Sequence, residues 1–482
     1  GDDLFFFFQL SMTYTTSLTL LDGVRIVTPD SLELITPYVL REQQDWFEDE
    51  IKFLRHLLKP GQKVIDIGAN YGVYALCMAK AVGSTGHVWA FEPSSSTASL
   101  LAEGIAANAF AQVTLVQSAL SSASGTARLS RSPLSELNAL VHDLSATTET
   151  ETVSLVTLDE CLETYCWQDI EVIKIDAEGE EANILKGGER FFAQLSPLVQ
   201  YEIKAGPDLH MHLIEAFAAL GYTSYRLVPG LDLLVPFDPE AQIDGFLLNL
   251  FCCKPDRAAR LAARGVLLDS AGLETAGEPI RELLGIDGSL DVHYWQHAII
   301  GLPYGTQLAN EWEVTMNSGG SEEVAHALSL YTLSRDSSLP ASARFLALEA
   351  SFRCLETLCG QHASHLRLAS LARVARDYGS RSLAVNALAQ LCTTILQQQQ
   401  VDTSEPFLAP GERFDSIVPG EVIGDWVLAA VLEELERLSS FSSFYTGASA
   451  LQRLHIIREL GFGSSEMARR LSLLQERLGL PA

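Results

Sequence analysis

In the first half of the chain, short apolar runs alternate with stretches whose apolar residues recur every three or four positions. The runs predict strands at 63–67, 87–91, 112–117, 172–175, 198–203 and 223–227. The helical spacing predicts helices at 71–82, 95–108, 180–187 and 208–220. Strands that alternate with helices in this way favour a parallel sheet with helices on both of its faces. A last strand at 246–252 completes the predicted sheet.

The residues before this sheet have a pattern of their own. Residues 12–40 alternate apolar and polar positions around Asp22-Gly23, a dipeptide that is typical of a hairpin turn. A helical pattern follows at 44–58. Residues 1–60 are therefore expected to cap an α/β domain that extends over 61–255.

Beyond about Lys254 the pattern becomes helical. Apolar residues recur at helical spacing in six stretches, at 341–359, 364–378, 380–398, 421–438, 446–460 and 464–478. They predict an all-helical domain at 321–482. The pattern leaves open whether its helices form tetratricopeptide-like hairpins or a plain bundle. Residues 256–320 are predicted to be a connector.

The turn after the first sheet strand carries candidate chemistry. Gly68 and Gly72 have no Cβ, so a ligand can approach the backbone there, and the next helix offers unpaired N–H groups. The following strand ends in Glu92, which is well placed to accept hydrogen bonds from a ribose diol. Together these features indicate a cofactor that contains a nucleoside.

The glycine spacing separates two cofactors. A dinucleotide loop places glycines at offsets of zero, two and five to admit a pyrophosphate, whereas here Asn70 lies between Gly68 and Gly72. Such a loop suits a small zwitterion, and Asp66, just before the turn, is expected to face its amino group or a structured water. We therefore predict S-adenosylmethionine, with its ribose on Glu92, ahead of a nicotinamide dinucleotide.

Two further motifs resemble the K-I-D-x-E-G-x-E and x-x-L-x-G signatures of the FkbM-type methyltransferases; they lie at 171–180 and 183–188. The glycine turn, the segment 91–93 and the segment 199–203 also match that family, in the same order, over about residues 45–253. The resemblance implies a Rossmann-like seven-stranded sheet with an antiparallel last strand. It also implies an S-adenosylmethionine-dependent O-methyltransferase whose acceptor is a hydroxyl of a sugar or another small molecule.

Methyl transfer needs a positioned acceptor and a group that removes its proton. Asp176 and Glu202 end neighbouring strands of the predicted sheet, so their carboxylates are expected to meet at the reacting methyl. Clustered carboxylates raise each other's pKa, which favours a general base; a divalent cation held by the same oxygens is the less favoured alternative. His210 is a further candidate base, although it also suits a surface position. Lys174 is expected to pair with a carboxylate.

Four further residues are predicted at the cofactor. Tyr71 follows the glycine turn and is expected to flank the ligand, while Ser118 and Ala119 follow the third strand. Asn108 ends the second helix, where it either lines the adenine or caps the helix. The last three resemble adenine-side positions of related folds.

Charge and composition exclude some classes of function. The formal net charge of −28 argues against a nucleic-acid partner, since a phosphate backbone would be repelled. The most apolar tract, 4–10, is too short to span a membrane and is not expected to be a signal peptide. The eight scattered cysteines form no C-x-x-C pair, so we expect reduced thiols, no zinc site and a cytoplasmic location.

The helical domain leaves a rival function open. In an enzyme it would provide a homodimer contact or a docking site for the acceptor. In a non-catalytic scaffold it would bind a protein partner, and the methyltransferase half would be degenerate. Intact Gly68, Asn70, Glu92, Asp176 and Glu202 favour the enzyme. The acceptor pocket is expected to be built from the hairpin near 12–40, a Ser- and Thr-rich insertion at 126–157 and the helical half.

Overall fold

The computed structural model describes residues 14–130, 150–205, 208–286, 290–291 and 293–481. Three predicted features lie wholly or partly outside these residues: the apolar tract at 4–10, the start of the hairpin and the middle of the insertion. Within them, no helix is both long enough and apolar enough to cross a bilayer.

The strands of the described residues all lie before Lys254. In chain order they are β1 Thr15–Thr19, β2 Arg25–Pro29, β3 Lys63–Ile67, β4 His87–Phe91, β5 Val113–Val116, β6 Ala119–Leu120, β7 Gly125–Ser130, β8 Thr150–Val156, β9 Val172–Ile175, β10 Leu198–Glu202, β11 Lys204–Ala205, β12 Asp208–Leu209, β13 Thr223–Val228, β14 Leu233–Pro236 and β15 Asn249–Cys253.

The helices connect these strands and then continue alone. In chain order they are α1 Ile35–Gln43, α2 Asp49–Leu57, α3 Val73–Val82, α4 Ser95–Ala107, α5 Leu158–Thr164, α6 Glu181–Lys186, α7 Glu189–Gln194, α8 His212–Ala219, α9 Pro255–Ala263, α10 Ser270–Leu283, α11 Gln296–Ile299, α12 Pro303–Ser318, α13 Glu322–Ser334, α14 Ala341–Gln361, α15 His365–Tyr378, α16 Arg381–Gln398, α17 Ile423–Leu438, α18 Ser443–Thr446, α19 Leu451–Leu460 and α20 Ser465–Arg477.

One large sheet organises the first half. Its eight strands follow the order β14-β13-β15-β10-β9-β3-β4-β5. Strands β5, β4, β3, β9 and β10 are parallel, and β15 runs antiparallel between β10 and β13. This confirms the Rossmann-like α/β class and the antiparallel last strand. The eighth strand, β14, was not predicted, because its four residues between Asp232 and Phe237 are too short a pattern to recognise.

Two apolar cores cover the faces of this sheet. Val64 and Val88 pack with α2 and α3 on one face, while Ile65 and Ile173 pack with α5 to α8 on the other. Because side chains alternate along a strand, Asp66 shares the face of Val64. Asp66 therefore points toward the side of the sheet that α2 and α3 cover.

The helical half has a core of its own. Helices α13 to α17 pack each on the next around a cluster of aromatic residues that includes Trp295, Tyr304, Trp312 and Trp426. The first three belong to the predicted connector, which is itself largely helical and contributes to this core. The boundaries of the domains stay a prediction.

The two halves share a buried polar contact. Helix α1 packs on α20, and the Tyr38 hydroxyl lies 2.9 Å from the hydroxyl of Ser443. The Ser443 N–H donates to Glu42 at 3.1 Å, and Arg470 lies 3.4 Å from the same carboxylate. Glu42 is fully buried, so this contact fixes the cap segment against the last helix.

Candidate functional site

The loop between β3 and α3 is shaped by contacts with two neighbouring strands. Gly68 has φ +78°, and a Cβ built there would lie 1.7 Å from the carbonyl oxygen of Asp176. The N–H groups of Gly68 and Ala69 both donate to the Phe91 carbonyl, at 3.0 and 2.9 Å. Only glycine fits at position 68, because a side chain would collide with the end of β9.

Gly72 has a different role from the one predicted. Its φ is +88°, and a Cβ would lie 2.3 Å from Cδ1 of Leu101 on α4. The missing side chain therefore lets the start of α3 pack against α4. Gly72 does not line the cavity beside the loop, so the structure does not support the predicted cofactor contact.

A cavity with about 1050 Å³ of open space lies at the carboxyl ends of β3, β4 and β9, and we call it the glycine-loop cavity. Eight residues predicted from the sequence line it, namely Asp66, Gly68, Asn70, Tyr71, Glu92, Ser118, Ala119 and Asp176. The topology thus brings together most of the predicted cofactor residues, as expected for the carboxyl edge of a parallel sheet.

Glu92 is held by the backbone of two loops. Its carboxylate accepts from the N–H of Asn70 and from the N–H of Ser94, each at 2.9 Å. Asn70 has φ +49°, a left-handed conformation that Asn tolerates better than most residues. Burial raises the pKa of Glu92 to about 7, against the lowering effect of these two hydrogen bonds.

Asp66 is the most unusual group in the cavity. It is fully buried, and within the described residues neither carboxylate oxygen has a hydrogen-bond partner. Burial raises its pKa to about 6, although the Lys174 ammonium, 3.9 Å away, lowers it. The N–H of Ala75 also lowers the pKa without making a well-formed hydrogen bond. A buried carboxylate without a donor is costly, so this geometry fits a cationic ligand group.

Lys174 lies between two carboxylates. Its ammonium is 2.8 Å from Asp176 and 3.9 Å from Asp66, which confirms the predicted pairing with a carboxylate. Burial alone would lower the pKa of Lys174, but the two carboxylates raise it above its ordinary value. Lys174 is therefore a fixed positive charge rather than a base.

A second carboxylate system was not predicted. Glu48 lines the cavity and accepts a hydrogen bond from the Tyr74 hydroxyl, which in turn accepts from Nε2 of Gln200 at 3.2 Å. The Lys174 ammonium lies 4.8 Å from the centroid of the Tyr74 ring. Burial raises the pKa of Glu48. Glu48 lies just before an acidic helix start, a position whose charge normally serves the helix dipole, so no sequence signal marked it.

Besides Gly72, three predicted residues lie outside the wall of this cavity. Asn108 caps α4 through the Gly104 carbonyl and bonds both the N–H and the carbonyl of Arg25, so it joins α4 to β2. The ring of His210 contacts that of His212, with centroids 5.7 Å apart. Burial, and to a smaller extent the nearby Asp176 carboxylate, raise the pKa of Glu202 to about 9.

Among the residues that the structure describes, no group of three or more His, Cys, Asp or Glu side chains is arranged to hold a metal ion. Only one of the two carboxylates that were predicted to act together lines the cavity. Asp176 lines the cavity, whereas Glu202 does not.

The strand order, the glycine loop and the cavity at the strand ends define a Rossmann-like methyltransferase fold. Residues 66–224 match the family model described as the methyltransferase FkbM domain. This confirms, over that part of the chain, the resemblance seen in the sequence.

One curated relative is the hexuronic acid methyltransferase AglP of Haloferax volcanii. It is 31% identical over 162 residues, which make up 33% of this chain and 64% of the relative. The chain therefore spans somewhat less than two thirds of that protein's length.

Two solved structures resemble part of the chain. A SAM-dependent methyltransferase from Aquifex aeolicus is 15% identical, with 45% of this chain and 93% of that chain covered and a TM-score of 0.26. An rRNA methylase from Streptococcus thermophilus is 12% identical, with 42% and 93% covered and the same TM-score of 0.26. At such scores neither structure bears on activity, and the fold follows from the strand order itself.

Proposed function

We propose that this protein is an S-adenosylmethionine-dependent O-methyltransferase that acts on a hydroxyl of a sugar or a related small molecule. The observation that carries the proposal is Asp66, a buried carboxylate beside the glycine loop whose two oxygens accept no hydrogen bond from any described residue. The match of residues 66–224 to a methyltransferase domain supports the same interpretation.

The residues of the glycine-loop cavity fit the methyl donor. Asp66 would hold its amino group, since an ammonium satisfies both charge and hydrogen-bonding capacity there. Glu92 retains lone pairs for ribose hydroxyls after its two backbone bonds. Ser118 and Ala119 would line the adenine side. S-adenosylmethionine, when bound, supplies an electrophilic methyl group.

Two carboxylates are candidates for the general base. Asp176 lines the cavity and is paired with the Lys174 ammonium at 2.8 Å. Burial raises the pKa of Glu48, and a raised pKa makes a carboxylate a stronger proton acceptor. We therefore place Glu48 ahead of Asp176 for the acceptor proton. Glu202 and His210 become less favoured because they do not face the cavity.

The name of the curated relative supports an acidic sugar as the acceptor, since that relative is a hexuronic acid methyltransferase. A uronic acid offers hydroxyls for methylation and a carboxylate for recognition. The coverage of the relative is partial, so its acceptor enters as part of the proposal.

Transfer of a labelled methyl group from S-adenosylmethionine to methyl glucuronide tests this proposal. We expect Glu48→Gln to lower kcat by about 10²–10⁴-fold, the usual contribution of a positioned base, with the donor Kd unchanged. Glu202→Gln is the matched control and should retain most activity. If Glu202→Gln loses activity while Glu48→Gln retains it, the general base is Glu202 and not Glu48. A wild-type protein that binds no donor would favour the scaffold instead.

A further inference from the structure

A second cavity lies where the two halves of the chain meet. It has about 1430 Å³ of open space, and we call it the arginine cleft. Three parts of the chain build it: the segment 43–52 of the cap, the ends of sheet loops at 227–229 and 244–248, and helices α15, α16, α17 and α20 with the segments that flank α17. The helical half therefore contributes directly to a cleft beside the sheet.

The two cavities adjoin at one side chain. Glu48 lies in the wall of the glycine-loop cavity and also in the wall of the arginine cleft. A molecule in the arginine cleft would thus reach the carboxylate that we propose as the base. This places the cleft where a methyl acceptor has to lie.

Most arginines of the cleft are neutralised by carboxylates. Arg376 lies 3.1 Å from Asp377 and 3.7 Å from Asp49. Arg470 lies 3.0 Å from Glu466 and is near two further carboxylates. These ion pairs stabilise the junction of the halves and leave little charge for a ligand.

Arg381 differs from its neighbours because, among the described residues, it has no ion-pair partner within 4 Å. Its Nε donates to the Leu438 carbonyl at 2.9 Å, and its Nη2 donates to the carbonyls of Arg437 and Ser440, at 3.2 and 3.1 Å. The guanidinium lies 4.7 Å from the ring centroid of Phe246 and 4.6 Å from that of Phe441. Carbonyls and rings thus orient a cation without neutralising it.

Two observations show that this cation lacks an anion. Burial, and then the nearby Arg376, lower the pKa of Arg381 to about 10, although Asp49 and Asp244 raise it. Asp244, one of these two carboxylates, is already engaged, because it accepts from the N–H and the hydroxyl of Ser382 at 2.8 and 3.0 Å. A desolvated guanidinium in such a position is stabilised by a planar or phosphate-type anion.

The carboxylates of the cap segment 43–52 repel an anion in the cleft less strongly than their number suggests. Burial, and then Glu48 and Asp49, raise the pKa of Glu50 to about 8, so Glu50 is largely protonated at neutral pH. Asp49 is itself paired with Arg376.

We propose that the arginine cleft is the acceptor site and that Arg381 binds an anionic group, a carboxylate or a phosphate, on a sugar acceptor. The hydroxyl to be methylated then lies near Glu48. This inference rests on the proposed methyltransferase function and extends it by assigning the helical half a part in acceptor recognition.

Calorimetric titrations of the full chain, saturated with S-adenosylhomocysteine, test the inference. The probes are methyl glucuronide, glucose 6-phosphate and the neutral methyl glucoside. We expect at least one acidic probe to bind about tenfold or more tightly than the neutral one, as expected for a charge-assisted hydrogen bond. The stronger of the two acidic probes identifies the anion. Equal binding of all three probes would overturn the inference.

Two variants of Arg381 locate the effect. Arg381→Gln should abolish the preference for acidic probes, and Arg381→Lys should retain part of it, since the charge remains but the fork is lost. Arg353→Gln is the matched control, because Arg353 is an exposed arginine of the same half and pairs with Glu356 outside the cleft. If Arg381→Gln does not fold, the preference for acidic probes is compared between the wild type and Arg381→Lys. An undiminished preference in Arg381→Lys would contradict a role for the guanidinium fork.

The titrations also separate the two proposals. Failure of the wild type to bind S-adenosylhomocysteine would refute the proposed function. Normal binding of S-adenosylhomocysteine without any preference for acidic probes would refute only the acceptor site.

Discussion

The glycine-loop cavity and the arginine cleft are assembled in opposite ways. The first takes most of its wall from short segments at the ends of β3, β4 and β9, so its residues follow recognisable motifs. The second is lined by residues from Gln43 to Arg470, drawn from the cap, the sheet and the helices. A site built at strand ends can be predicted from sequence motifs, whereas a site built at a junction depends on how distant elements pack.

The largest expected effect concerns the glycine loop. Gly68→Ala should lower the free energy of unfolding by about 3–5 kcal/mol, since a left-handed φ and a collision with Asp176 act together. Gly221→Ala, with φ +83° and open space around its Cβ position, should lose only about 1–2 kcal/mol. Chemical denaturation measures both. Similar losses would mean that the contact with β9 is unimportant.

The junction of the halves is tested by Arg470→Met. Its guanidinium is nearly fully buried among Glu42, Glu436 and Glu466, so its removal leaves uncompensated carboxylates. We expect a loss of about 3–5 kcal/mol. The exposed pair of Arg353 predicts a change below about 1 kcal/mol for Arg353→Met. A small effect in both variants would show that the halves are not fixed by this network.

Asp66→Asn separates binding from stability. We expect donor affinity to fall about 100-fold, because the amino group loses its counter-charge. The unliganded protein should become more stable by about 1–2 kcal/mol at pH 8, since a buried carboxylate with a raised pKa destabilises the fold once ionised. The exposed Asp169 provides the control, and Asp169→Asn should change neither quantity. Unchanged donor affinity in Asp66→Asn would remove Asp66 from the site.

The pH dependence of donor binding should follow the same group. The pKa of Asp66 is about 6, so protons compete with the donor below that pH, and affinity should fall by about tenfold per pH unit. The stability of the unliganded protein changes in the opposite direction with pH. The folded state is more stable while Asp66 is neutral, and this contribution is lost as pH rises through about 6. Calorimetry between pH 8 and 5 measures the affinity. A flat profile in the wild type would contradict the assignment.

Periodicity was enough for most of the fold. The bounds of β3, β4 and β9 match the predicted strands, and five of the six predicted helices of the second half begin and end within two residues of the observed ones. Local patterns decide such elements because burial of one face sets the spacing of apolar residues. The short edge strand β14 has too few residues to show a period.

The candidate site was predictable only where the backbone itself forms it. Gly68 and Glu92 belong to motifs at strand ends, so their proximity follows from a parallel sheet. For Asn108 the sequence left two roles open, because a helix-ending Asn serves a cap and a ligand equally well, and the structure shows the cap. Glu48 and Arg381 were missed because a charged residue at a helix start ordinarily lies in solvent, and only packing between distant segments buries them.

A crystal structure with S-adenosylhomocysteine tests the central claim most directly. We predict that the amino group of the ligand lies about 3 Å from the Asp66 carboxylate and that a ribose hydroxyl lies at a similar distance from Glu92. A ligand bound elsewhere, or bound beside the glycine loop with Asp66 still without a donor, would contradict the account.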